Sequence, residues 1–305
     1  MSEASQLTAA VIDVGSNTVR LCMYRVEKSG GKFTKIIDAK DSVGLGAYIG
    51  PDKTMSKGGI EAGGKAIRKL ARMAEVVGFK KMGIFATAAV RNCANSAEVA
   101  KEFQQKCGYP VRVLTGEEEA YLSVQGALAS APMRSGLFFD LGGGSTEVVG
   151  LQKGKVTVCD SIPIGSLTSW RRNAHCIIPG EDELEAIEQG FAELLRTSPV
   201  NPTDYKNICG IGGSTRLALK VANHLRYSSP DNRTLSLESI NRIFDMNAND
   251  RFALSRLVLQ IQPSRVHTFL PGCAIMRAIM EAAGIDYLEV AKTGIREGYL
   301  LKELR

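Results

Sequence analysis

Histidine is scarce in this chain, with three among 305 residues. His175, His224 and His267 have no metal-ligand spacing, so a histidine-built zinc centre is excluded and none of the three is assigned catalysis. The seven cysteines (22, 93, 107, 159, 176, 209 and 273) are scattered, odd in number and free of Cys-x-x-Cys spacing. They read as reduced small hydrophobes rather than as a disulfide framework or a zinc ribbon. No apolar run approaches membrane-spanning length, and no Lys/Arg block with interleaved aromatics points to nucleic acid. Residues 1–8 are polar, unlike a secretory signal, so the expectation is a soluble, cytoplasmic protein without a membrane or nucleic-acid partner. What is there is 44% hydrophobic and 23% charged. That is a globular composition, long enough for two cores. The net charge of +6 favours a polyanionic partner through long-range attraction.

Two segments repeat one chemistry. Asp13-Val14-Gly15-Ser16-Asn17-Thr18 and Asp140-Leu141-Gly142-Gly143-Gly144-Ser145-Thr146 each follow an apolar strand and lead into a second alternating strand. A third strand returns in both copies, after a Gly30-Gly31 break in the first and a Gly154 break in the second, so the chain reads as internally duplicated. Glycines let the backbone approach a ligand and aim successive N–H groups at it, while Ser16, Ser145 and Thr146 add hydroxyl donors. That is an anion site. The aspartate beside it would repel the anion unless a divalent cation stands between them, and Mg2+ shares oxygen ligands with phosphate and water.

Strands and helices alternate through the rest of the chain. Ile60, Ile67, Leu70, Ala74 and Val77 mark a helix stopped at Gly78, followed by a strand over residues 81–87. Ser96 is expected to cap a helix to about residue 106, and residues 111–114 form another strand. Thr115-Gly116-Glu117-Glu118 opens the helix that crosses into the second copy, the best place for a domain boundary. Later helices follow Gly180, follow Ser236, and cover residues 251–259 and 271–283. Ile208-Cys209-Gly210-Ile211-Gly212-Gly213-Ser214-Thr215-Arg216 reads as strand, turn and helix, a third phosphate-compatible turn. Three such turns in two halves are expected to enclose one cleft.

Two decoys fall away. Gly59 to Ala66 nearly matches a Walker A loop, but Ala66 replaces the cation-binding hydroxyl and the stretch lies in a helical pattern. Cys209 and Arg216 are too far apart for a cysteine-phosphatase loop, so a thiol mechanism is not expected.

The ordered set of Asp13 to Thr18, Ala86-Thr87-Ala88-Ala89-Val90-Arg91, Thr115-Gly116-Glu117-Glu118-Glu119-Ala120, Asp140 to Glu147, Gly212-Gly213-Ser214-Thr215 and Gly294-Ile295-Arg296-Glu297-Gly298 resembles the exopolyphosphatase and guanosine pentaphosphate phosphohydrolase (Ppx/GppA) family over nearly the whole chain. The resemblance implies an α/β fold of two duplicated actin-like (ASKHA, ribonuclease H-like) domains flanking a cleft. It sets an N-terminal lobe at residues 1–122 with 293–305 and a C-terminal lobe at 123–292. It also implies hydrolysis of a terminal phosphate with Mg2+, or Mn2+ in its place, and a homodimer.

Thr115 as N-cap gives Glu118 a capping-box role and lets Glu117 favour the helix dipole, which leaves Glu119 with no local task. The resemblance selects Glu119 as the base that activates water, in surroundings whose negative charge would raise its proton affinity. It assigns Arg91 a catalytic role on the phosphate and Asp13, Asp140 and Glu147 to the metal. Gly15, Ser16, Asn17, Thr18, Gly142, Gly143, Gly144, Ser145, Thr146, Gly212, Gly213, Ser214 and Thr215 are the phosphate-binding candidates. Arg265-Val266-His267 and Ala291-Lys292-Thr293 depart from the family pattern, and the helical domains that follow in long members are not expected.

The favoured activity is a short exopolyphosphatase, since the chain is basic and lacks an Asn-Lys-x-Asp guanine motif. Guanosine pentaphosphate hydrolysis is the alternative substrate reading. A non-catalytic polyphosphate or alarmone sensor is the alternative class, and a kinase of the same superfamily is more remote.

Overall fold

The computed structural model describes residues 6–27, 32–131, 133–226 and 228–304, so the Gly30-Gly31 break and residues 1–5 lie outside the described residues. The chain divides into two compact units, residues 1–126 with 295–305 and residues 127–294.

In the first unit β1 (Gln6–Val14), β2 (Val19–Glu27) and β3 (Phe33–Asp41) form an antiparallel meander. Helix α1 (Lys57–Val77) leads to β4 (Lys81–Ala86), which pairs parallel with β1. Short α2 (Ala88–Arg91) and α3 (Ser96–Cys107) precede β5 (Val111–Val113), parallel to β4, giving the order β3-β2-β1-β4-β5. Alternation along β1 explains the layers, because successive side chains of a strand point to opposite faces. Ile12 and Val14 pack with Ile67, Leu70 and Phe103 under α1 and α3. Ala9 and Val11 pack with Phe85, Leu122 and Tyr299 on the other face, under α4 (Gly116–Ala127) and α10 (Ile295–Glu303). Tyr299 lies on Phe85 with ring centroids 4.8 Å apart, a contact of about 1 kcal/mol beyond its buried area.

The second unit repeats the plan. Strands β6 (Gly136–Leu141), β7 (Thr146–Gln152) and β8 (Lys155–Ile162) form the meander, and α5 (Ser166–Asn173) and α6 (Glu181–Thr197) follow. Strand β9 (Ile208–Ile211) pairs parallel with β6 and feeds α7 (Gly213–Leu225). After β10 (Thr234–Ser236), α8 (Leu237–Ile261) and α9 (Val266–Ala283), strand β11 (Tyr287–Val290) pairs parallel with β9. From β8 inward the sheet runs β8-β7-β6-β9-β11, the first unit's order, with antiparallel β10 added at the edge. The irregularity between the second and third strands also repeats, at Met23/Tyr24 and at Gly150/Leu151, the same offset from the strand aspartate in both copies. This is the duplicated actin-like α/β fold.

Local signals mostly act where the sequence places them. Thr115 Oγ1 accepts from Glu118 N at 3.1 Å and Glu118 Oε2 accepts from Thr115 N at 2.9 Å, a reciprocal capping box. Ser236 caps α8 through Ser239 N. Ser96, expected as a cap, is instead the first helical residue, with Asn95 before it; the Asn95 side chain bonds Met55 at both its amide atoms and reaches Glu98 Oε2 at 3.4 Å, without capping a backbone N–H of the helix. The expected helix at residues 251–259 is continuous with α8 except for a break at Asp250 (φ −148°, ψ 72°), whose Oδ1 recaps the chain at Ala253 N. The helix expected from Pro271 begins at Val266 and carries Pro271 inside, where burial of Phe269, Leu270 and Ile275 offsets a missing N–H. The Walker-like stretch lies within α1, and Gly63 is there because a Cβ would run into the Phe103 ring at 2.6 Å. Among the described residues no helix is long and apolar enough to cross a membrane.

Candidate active site

Both hairpin turns are built alike. Gly15 N donates to Thr18 O at 3.1 Å, and Gly142 N donates to Ser145 O at 3.0 Å. In the turns so closed, the next two N–H groups, of Ser16 and Asn17 and of Gly143 and Gly144, donate to no acceptor among the described residues. Amides left without an acceptor and held in succession make an anion-binding concavity.

In the second unit, Asp140 on β6 is the direct cross-strand partner of Glu147 on β7, so both carboxylates lie on one face of the sheet. Glu147 is 1% exposed. Its Oε1 accepts from Ser145 Oγ at 2.7 Å and from Ser161 Oγ at 2.9 Å. The glycine turn is clamped from behind, with Gly142 O accepting from Ser166 N and Gly143 O from Leu167 N and Thr168 N at the start of α5. Gly212, before α7, adopts φ +104°, and a Cβ there would stand 2.7 Å from Leu141 O and 2.9 Å from Asp140 Oδ1. The β9–α7 turn therefore sits directly against the carboxylate. Among the hydroxyls assigned to phosphate, Thr146 and Thr215 are fully buried and donate to Ile164 O (2.7 Å) and Ile211 O (2.9 Å), so they hold loops in place. Ser214 Oγ accepts from Arg265 Nη1 at 3.1 Å, and the Arg265 guanidinium lies over Gly213.

In the first unit, Glu119 is 9% exposed on the first turns of α4, and its Oε2 accepts from Arg91 Nη1 at 2.5 Å. Arg91 Nη1 also reaches Leu114 O at 3.3 Å, which fixes the guanidinium at the end of α2. The protein itself thus sets a cation beside Glu119. Asp13 accepts from Arg296 Nη1 at 2.8 Å through its Oδ2. Burial pushes the Asp13 carboxyl above its ordinary range, against the opposing pull of Arg296. The turn at Ser16 and Asn17 is fastened by their carbonyls, which accept from Gly46 N and Gly44 N.

Arg296, Arg265 and Ser161 carry contacts that the sequence reading did not assign. Arg296 stands in the quoted Gly294 to Gly298 segment and Arg265 in the segment marked as a departure, so each had a signal without a role. Ser161 follows only from the register Glu147↔Ser161. Cys209 is fully buried, and burial first, then Glu289, pushes its thiol up to about 12. That removes it as a nucleophile.

Mg2+ uses one or two carboxylates and leaves its other positions to water and phosphate. Asp140 and Glu147 fit that demand as paired hard oxygen donors. Among the described residues no three His, Cys, Asp or Glu side chains gather as a metal cage, which such an ion does not need.

Solved structures share this fold along their whole length. An exopolyphosphatase-like protein matches at 24% identity with a TM-score of 0.83, covering 97% of each chain. The Ppx/GppA family member from Aquifex aeolicus matches at 23% identity with a TM-score of 0.77, covering 98% of each. An exopolyphosphatase from Cytophaga hutchinsonii matches at 21% identity with a TM-score of 0.83, covering 97% of each. A model of the Ppx/GppA phosphatase family matches residues 25–305, and with that span the chain belongs to the Ppx/GppA phosphatase family.

Proposed function

We propose that this protein hydrolyses the terminal phosphoanhydride of inorganic polyphosphate, releasing orthophosphate and a chain one unit shorter. The observation that carries the reading is the Asp140–Glu147 carboxylate pair beneath a glycine turn whose Gly143 and Gly144 amides donate to no acceptor among the described residues. Carboxylates facing each other across two strands repel, and a cation together with an anion satisfies both features. When bound to Asp140 and Glu147, Mg2+ or Mn2+ would neutralise charge on phosphate oxygens.

The chain's own groups supply the rest. The Gly142–Ser145 turn and the α7 N-terminus donate N–H groups to phosphate oxygens. Ser145 and Ser161 hold the Glu147 carboxylate in one rotamer. Asp13 is tied to Arg296 through Oδ2, so its Oδ1 is the oxygen that would reach a cation. Glu119 takes the proton of the attacking water, whose oxygen bonds to the terminal phosphorus as the bond to the bridging oxygen breaks and the electron pair leaves with the shortened chain. Arg91 has a planar donor fork suited to phosphate, and its hold on Glu119 orients the base.

Phosphate release from long-chain polyphosphate, tripolyphosphate and guanosine pentaphosphate tests the reading. The polyphosphates are expected to be consumed fastest. Glu118→Gln, which touches only the capping box and Arg112, is expected to retain turnover. Preference for guanosine pentaphosphate would replace the substrate, and no release from any of the three would overturn the enzyme reading.

A further inference from the structure

Away from the turns, the second unit has a cavity of about 610 Å3 between α7, the segment before β10, and the end of β11. Its size is that of a small-molecule pocket. Arg216, Lys220, Arg233 and Lys292 line it, and none of its lining residues is acidic. Leu219 and Val290 give it an apolar floor.

The two guanidinium groups are anchored. Arg233 Nη1 donates to Pro230 O at 3.3 Å and Asn232 O at 3.2 Å. Arg216 Nη1 donates to Ala291 O at 3.4 Å, tying α7 to the residue that follows β11. Anchored guanidinium groups lose little freedom on binding, and their planes both chelate phosphate and stack on flat rings. Lys220 and Lys292 are exposed at the rim and add positive charge for an anion arriving from solvent. Inorganic phosphate alone would leave the apolar floor uncovered. A bare nucleoside would bring no charge to Lys220, Arg233 and Lys292, which no acidic side chain of the lining neutralises.

We propose that this cavity binds a nucleoside phosphate, with the flat base on the floor formed by Leu219 and Val290 and the phosphate among Arg216, Lys220 and Arg233. The site is separate from the residues assigned to phosphoanhydride cleavage and stands whether or not that assignment holds.

Calorimetric titration of the intact protein with AMP, GMP, inorganic phosphate, adenosine and guanosine tests it, since the monophosphates contain no phosphoanhydride to be cleaved. One of the two nucleotides is expected to bind at least about tenfold tighter than either phosphate or its own nucleoside. Lys220→Glu, at an exposed position that should not disturb folding, and Arg233→Ala are each expected to weaken that binding by about tenfold or more, while polyphosphate turnover without nucleotide stays at the wild-type level. Nucleotide binding no tighter than that of phosphate would overturn the proposal by reducing the cavity to a general anion patch. Equal nucleotide affinity in wild type and Lys220→Glu would overturn it by placing the nucleotide elsewhere.

Discussion

Asp140 and Glu147 face each other across the β6–β7 ladder, while the equivalent pair in the first hairpin is Asp13 and Arg20. The duplicated hairpins therefore differ at one decisive position. In the first copy the strand aspartate faces a built-in cation, and Arg20 in turn holds Asp38 with two 2.6 Å hydrogen bonds. In the second copy a carboxylate takes that place.

Removing one charge from this pair should weaken cation binding. Asp140→Asn is expected to raise the Mg2+ concentration needed for half-maximal phosphate release by about tenfold, the scale on which lost ligands or their supporting bonds act. Titrating Mg2+ at saturating polyphosphate checks this, and an unchanged midpoint would move Asp140 to a structural role.

The turn at Gly212 tolerates no side chain. Gly212→Ala must place a Cβ against Leu141 O and Asp140 Oδ1 in a positive-φ conformation, at a cost of about 1–3 kcal/mol. Urea unfolding should show a lower midpoint. Phosphate release should fall by more than the folded fraction does, because the displaced oxygen belongs to Asp140. Wild-type turnover in the folded variant would detach this turn from the site.

The first copy's charge pairing sets an acid dependence. Burial opposes ionisation of Asp38, but hydrogen bonds from Arg20 and Lys35 outweigh it and hold the carboxyl below its ordinary value. A depressed folded-state value means that the stabilisation is fully present above the unfolded value of about 4 and is lost as pH falls below it. Asp38→Asn should therefore cost about 1 kcal/mol at pH 7 and clearly less near pH 2, where part of the advantage has been lost. Unfolding curves at both pH values measure this, and an equal loss at both would assign the effect to packing.

Local chemistry was legible in the sequence, and long-range pairing was not. The glycine turns, the Thr115–Glu118 capping box and the approach of Asp140 to Glu147 depend on residues within one hairpin or one helical turn, where spacing dictates geometry. Arg296 meets Asp13 across almost the whole chain, and Arg265 reaches Ser214 from the turn before α9. No periodicity announces such contacts. Glu119 lies between: the sequence isolated it by elimination and by family resemblance, but the Arg91 contact depends on how α2 ends beside α4. Pro271 misled because its preference for a first helical turn yields here to the burial of its neighbours.

In the proposed hydrolysis, water deprotonated by Glu119 attacks the terminal phosphorus. The most direct measurement is mass spectrometry of the products of polyphosphate hydrolysis in 18O-labelled water, run on wild type and Glu119→Gln. One 18O atom should enter each orthophosphate released and none the shortened chain, with the Glu119→Gln rate lower by about 10²–10⁴. Label in the shortened chain, or near-wild-type turnover of folded Glu119→Gln, would contradict it.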